Sequence, residues 1–159
     1  MRIMKKISHR LILTAVVTGL VFTFSAGALA QEGRMAVISE MHGAVEVRLG
    51  GGEWQPAIKG MILHEKDEIL TTEGGFVELL LDKKDKTGKL TLEENTRLRL
   101  AMMTEDPVSE DKATLLELAI GEMLVRVKKL QGNSKFEVKT PTSTTGVRGT
   151  VFKVTVLNK

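Results

Sequence analysis

The sequence predicts an all-β domain of about ten short strands in two packed, mainly antiparallel sheets, a sandwich or roll. Three observations carry that expectation. Phe136 and Val138 alternate with Lys135, Glu137 and Lys139, and Phe152, Val154 and Val156 alternate with Lys153 and Thr155. This period of two marks half-buried strands. Glycine-bearing turns separate the apolar runs, at Gly43, at Gly50-Gly51-Gly52 and at Gly74-Gly75. A short β-solenoid is the alternative, favoured if the strands pair in parallel.

Residues 1–30 stand apart from this pattern. Arg2, Lys5, Lys6 and Arg10 form a basic start, residues 11–24 are apolar, and Ala28 and Ala30 give a small-x-small ending. This is the layout of a secretory signal peptide cleaved after Ala30. Its apolar core is shorter than the roughly 20 residues a spanning helix requires. The sequence therefore predicts a single exported domain over residues 31–159, periplasmic or secreted, with no stable membrane span after cleavage. It contains no Cys, so lipidation at the cleavage site is excluded and core packing alone must hold the exported domain together.

Removing the leader also changes the charge. The chain has 23 Lys and Arg against 20 Asp and Glu. Four of the cations lie in residues 1–30, so the remainder is close to neutral. No nucleic-acid partner is expected.

Taken in order, two short strands meet at Gly43, with Val45 and Val47 facing one way and Glu46 and Arg48 the other. The triple glycine that follows predicts a hairpin turn rather than a phosphate cradle, because Pro56 opposes a helix directly afterwards. Trp54, the single tryptophan, reads as an anchor at the core or its edge. Residues 67–71 predict a strand. Residues 76–81 are apolar apart from Glu78 and predict a central strand in which Glu78 needs a partner.

Residues 82–89 superficially resemble a calcium loop, but the acidic spacing is wrong and four lysines oppose a cation. They predict a hairpin tip. Leu90 and Leu92, then Leu98, Leu100 and Met102, continue the alternation around a turn at residues 93–96. An acidic loop with Pro107 follows at 104–111. Residues 115–130 fit both a helical face and two strands about Gly121-Glu122; the glycine and Val125-Arg126-Val127 favour a hairpin.

Between the last two strand-like runs lies a polar segment, Thr140-Pro-Thr-Ser-Thr-Thr-Gly-Val-Arg-Gly-Thr150. Together with Trp54, Pro56, Ala57, Gly60, Asp67-Glu68-Ile69-Leu70-Thr71, Gly75, Glu78-Leu79, Leu90-Thr91-Leu92 and Asn95-Thr96, it resembles the FecR domain family of extracytoplasmic signalling proteins. The closing signature is Phe136-Glu137-Val138, Thr140-Pro141 and Val147-Arg148-Gly149-Thr150-Val151-Phe152. The resemblance implies an all-β domain that binds other proteins outside the cytoplasm and has no recognised catalytic residues. Family members that regulate iron transport join this domain to a cytoplasmic anti-sigma segment and a spanning helix. The leader-like start here implies instead the outer module working alone.

The functional expectation is an exported, non-catalytic binding module for an unidentified protein of the cell envelope, with no cofactor. The candidate residues are Thr140, Pro141, Gly146, Val147, Arg148, Gly149, Thr150 and Phe152. Arg148 suits a carboxylate as a two-pronged donor. Its competing role, and the favoured one, is an internal ion pair with Glu78 or Asp67, while Gly146 and Gly149 supply φ > 0 for a tight crossing. Glycan or peptidoglycan attachment is the alternative function, weakened by one Trp and no Tyr. No enzyme is expected: His42 and His64 show no nucleophile or metal spacing, and His64 beside Glu65 and Asp67 reads as a solvated turn.

Overall fold

The computed structural model describes residues 33–82 and 87–157, which form twelve strands and no helix. They are β1 (Ala36–His42), β2 (Val45–Arg48), β3 (Trp54–Pro56), β4 (Ile62–Leu63), β5 (Glu68–Thr71) and β6 (Phe76–Leu81). Then come β7 (Gly88–Leu92), β8 (Arg97–Glu105), β9 (Lys112–Val127), β10 (Lys135–Lys139), β11 (Thr144–Val147) and β12 (Val151–Val156). The proposed leader, residues 1–30, lies outside the described residues, as do residues 83–86 at the expected hairpin tip. The β6–β7 pairing on either side of that tip is antiparallel, as a hairpin requires.

The all-β expectation holds, but the two packed sheets do not. The strands form one continuous sheet in the order β3-β2-β5-β8-β9-β7-β6-β1-β4, with β10 and β12 also on β9 and β11 on β10. β7 and β8 follow one another along the same edge of β9, so two arms, β8-β5-β2-β3 and β7-β6-β1-β4, leave β9 on the same side. Gly43 and Ala44 join β1 to β2, and residues 57–61 join β3 to β4, which ties the arms together strand by strand. The sheet curls across the bend in β9, and its inner face closes around Ile38, Val47, Leu63, Ile69, Leu79, Leu81, Leu90, Leu98, Leu116, Val125 and Phe136, all buried. Every pairing is antiparallel except β9 with β10, which removes the solenoid alternative.

β9 is the strand that lets one sheet do the work of two. Its first half pairs with β8 and β10, its second with β7 and β12. The hairpin expected at Gly121-Glu122 is a bend within this 16-residue strand. Buried positions shift from Leu116 and Leu118 to Met123, Val125 and Val127, a change of phase that a sequence reading takes for a turn. Gly121 adopts φ 97° at the bend, and a Cβ there would overlap Thr96. The buried Thr96 hydroxyl accepts from Glu122 N at 2.9 Å and donates to Glu122 O at 3.2 Å, fixing the bend.

A second phase shift sits in β8. The register slips between Leu100 and Met102, so Met103 is buried where the alternation predicted Met102. One extra residue at a bulge moves every later side chain to the other face. Elsewhere the central strand behaves as read: β6 lies between β1 and β7. Glu78 finds partners, accepting from Lys89 Nζ at 2.7 Å and Ser39 Oγ at 2.8 Å.

Near the start of the described chain, Arg34 is buried and every guanidinium nitrogen is used. Nε donates to Asp82 Oδ1 at 3.0 Å, Nη1 to Thr114 Oγ1 at 2.8 Å and Ala113 O at 3.0 Å, and Nη2 to Asp82 Oδ2 at 3.1 Å and Thr87 Oγ1 at 3.2 Å. Thr87 also donates to Asp82, and Lys112 Nζ lies 3.5 Å from it. This cluster ties residue 34 to β9 and to both sides of the β6–β7 connection.

Candidate functional site

The signature segment is not one loop. Residues 140–143 make a turn in which Thr140 N donates to Ser143 O at 2.8 Å and Ser143 N to Thr140 Oγ1 at 3.1 Å. Pro141, exposed, sits in that turn. Thr144–Val147 then forms β11, a strand the sequence reading missed because Thr and Gly give no apolar alternation. A second turn at 148–150 leads to β12.

The candidate residues divide accordingly. Gly149 has φ 65°, and a Cβ there would lie 2.9 Å from Lys129 Cα, so this glycine is required by both backbone and space. Gly146 is different. It is not among the positive-φ glycines, and a Cβ would meet only Glu137 Cγ at 3.9 Å, so the expected turning role is corrected to an ordinary place in β11. Arg148 is exposed, and among the described residues its side chain reaches Gly132 O alone, at 3.5 Å. The expected ion pair with Glu78 or Asp67 does not form, because those carboxylates already serve others. Glu78 holds Lys89, and Asp67 accepts the Gly50 and His64 backbone N–H groups at 2.7 Å each. Val147 and Phe152 are half-buried against the core, and Thr150 O accepts from Val127 N at 2.9 Å.

This last bond sets the orientation of β12. In an antiparallel ladder, bonded and non-bonded residue pairs alternate. Thr150 is bonded to β9, so Phe152, Val154 and Val156 are too, and the N–H and C=O groups of Val151, Lys153 and Thr155 point away from it. Among the described residues, β12 pairs only with β9 and β11 only with β10. Two neighbouring pieces of the signature thus build two free sheet edges. On β12 the exposed Lys153 holds its ammonium 2.6 Å from Glu122 Oε1 on the neighbouring β9.

On the outer face, a feature that the sequence reading did not find crosses six strands. Registered neighbours run Trp54 (β3), Arg48 (β2), Glu68 (β5), Arg99 (β8), Glu117 (β9) and Lys139 (β10). Charges alternate along this row. Arg48 bonds Glu68 Oε1, Arg97 Nη2 lies 2.7 Å from Glu68 Oε2, Arg99 Nη1 lies 3.5 Å from Glu117 Oε2, and Lys139 Nζ lies 3.2 Å from Glu117 Oε1. Trp54 ends the row, with the guanidinium carbons of Arg48 and Arg97 at 5.1 and 5.5 Å from its ring centroid. Burial alone would raise the pKa of Glu68, but hydrogen bonds from Arg48 and Arg97 outweigh it and hold the carboxyl below its usual value.

A cavity of about 300 Å³ opens beside the row, lined by Glu68, Arg97, Arg99, Ala119, Lys139 and Pro141, among others. It sits where β9 lacks a partner on one side. Along that edge of β9 the pairing with β10 stops at Glu117 and the pairing with β12 starts at Gly121. Residues 118–120 thus have no ladder neighbour there among the described residues, while Leu118 and Ile120 pair with β8 on the other edge. Among the described residues, no three His, Cys, Asp or Glu side chains gather in a metal-holding group, and no helix is long and apolar enough to cross a membrane.

The FecR protein family matches residues 67–159, more than half of the chain. The chain belongs to the FecR family. The match starts at Asp67 and ends beyond the signature, so it takes in β5 to β12, both free edges and the row from Glu68 to Lys139. Trp54, Pro56, Ala57 and Gly60, part of the original resemblance, lie before it. FecR proteins are a signalling-related family of the cell envelope. No curated protein and no solved structure matches the chain.

Proposed function

We propose that this FecR-family chain is an exported, non-catalytic binding module of the cell envelope, which acts in signalling by holding a partner protein at the free edge of β12. In this reading residues 1–30 are a cleaved signal peptide and residues 31–159 a single periplasmic or secreted domain. The carrying observation is that the family signature builds an edge strand whose Val151, Lys153 and Thr155 backbone groups face away from the sheet. Strand addition supplies affinity through main-chain bonds and specificity through alternate side chains. Here those side chains are Val151, 55% exposed, and the exposed Lys153 and Thr155.

Glycan attachment finds less support, because Trp54 is occupied by two arginines rather than offered as an open stacking face. The test is a photo-crosslinking residue at Val151 in the full chain, activated in intact cells. Adducts with a distinct envelope protein are expected, with none from the same probe at Lys59, on the β3–β4 connection. Equal labelling from both positions would sink the proposal.

A further inference from the structure

We infer that the cavity at the β9 gap is a docking slot for a short acidic segment of the partner protein, gripped by Arg99, Arg97 and Lys139. The inference rests on the reading of the chain as a protein-binding module, but it concerns a different surface from the β12 edge.

Charge balance is the first argument. Glu68 is shared by Arg48 and Arg97, and Glu117 by Arg99 and Lys139. Around the cavity itself three cations, Arg97, Arg99 and Lys139, face two carboxylates, Glu68 and Glu117, which leaves a surplus of one positive charge there. Arg99 is the least satisfied member. Its single ion pair is long, at 3.5 Å, it makes no hydrogen bond among the described residues, and its side chain is 46% exposed. A planar guanidinium with spare donors favours a carboxylate held by two parallel bonds.

Shape is the second. Arg97 and Arg99 project from the same face of β8 two residues apart, the repeat at which an extended peptide presents successive side chains on one side. The exposed, small side chain of Ala119 and the ring of Pro141 give an apolar floor between them and Lys139. Residues 118–120 of β9 are open on the side between β10 and β12. The slot therefore pairs cations at strand spacing with an unfilled stretch of sheet, which suits an extended segment of alternating acidic and small apolar residues.

The test is fluorescence anisotropy of the purified protein with a labelled hexapeptide of alternating Glu and Val, and with its Lys-Val counterpart. Saturable binding of the Glu peptide alone is expected, weakening as salt is raised. Arg99→Glu and Lys139→Glu should each lower affinity at least about tenfold, equivalent to about 1.4 kcal/mol. Lys135→Glu, on the same strand outside the slot, should leave it unchanged. Arg99→Gln, which places no new negative charge beside Glu68 and Glu117, should also weaken binding and guards against misfolding of the reversed variant.

Binding of both peptides alike, no saturable binding, or binding undiminished by the Arg99 variants overturns the inference. So does concentration-dependent self-association that Arg99→Gln abolishes, since the occupant would then be a second copy. Peptide binding that fails while the Val151 probe still labels an envelope protein removes the slot alone and leaves the broader reading standing.

Discussion

Arg34 Nε sits 3.0 Å from Asp82 Oδ1, and the arginine side chain is 2% exposed. The pair joins the start of the domain to the β6–β7 connection, and Thr87, Thr114 and Ala113 O complete the shell. Removing Arg34 leaves the buried Asp82 carboxylate to Thr87 and to Lys112 at 3.5 Å, so the loss falls at the lower end for a broken buried pair, about 3 kcal/mol. Arg34→Ala should show that loss in chemical denaturation. Replacing the pair together by apolar residues of similar volume should cost much less.

The same cluster predicts an acid limit. Burial would raise the pKa of Asp82, but hydrogen bonds from Arg34 and Thr87 hold it below its usual 3.8. In Glu78, the hydrogen bond from Lys89 holds the carboxyl below its usual 4.5, and Glu68 is lowered too. Groups with depressed folded pKa values add stability that is complete above the unfolded values and disappears as pH falls through the folded ones. The melting temperature should therefore hold down to about pH 5 and fall steeply below about pH 4. Asp82→Asn should be less stable at neutral pH and show a shallower fall.

The two signature glycines should separate in a stability assay. Gly149→Val forces a β-branched residue into φ 65° and against Lys129, and about 1–3 kcal/mol of strain is expected from the backbone alone. Gly146→Ala meets no close neighbour and should change the melting temperature little. Equal effects would contradict the roles assigned to them.

Gly121→Ala tests the bend in β9. The added methyl overlaps Thr96, whose hydroxyl holds Glu122. The account predicts a larger loss than at any exposed glycine, and an accompanying loosening of β12, which pairs with β9 from Gly121 onward. Hydrogen exchange of the β12 amides measures this.

Much of the fold was legible locally. β6 is an apolar run broken by Glu78 alone and β7 alternates apolar and polar residues, and both strands formed where those patterns put them. The pattern failed where the chain changes phase without turning, at Gly121 in β9 and at the slip before Met102 in β8. Both are bulge-like, and a reading of periodicity cannot tell a bulge from a hairpin. Strand β11 was invisible because an edge strand made of Thr144, Thr145 and Gly146 has no face to bury.

The candidate site was legible only in part. Thr140 to Thr150 could be found as a signature, yet its geometry depends on Lys129 and Val127, which are near it only in space. The row from Trp54 to Lys139 was hidden for the same reason. Its members are spread over 86 positions of sequence, from 54 to 139 inclusive, and meet through strand registers that no local pattern specifies. Arg148 drew attention as the conspicuous arginine of the signature, while Arg99, in a plain alternating run, lines the cavity.

The central claim is that a partner protein pairs with the free edge of β12. Thr155→Pro tests it most directly, because its N–H points away from β9 and a proline there removes an edge donor without breaking the ladder. With the photo-crosslinker at Val151 in intact cells, the account predicts that Thr155→Pro abolishes the envelope-protein adduct while the purified variant keeps its melting temperature within a few degrees. An adduct of undiminished yield in that variant would contradict it.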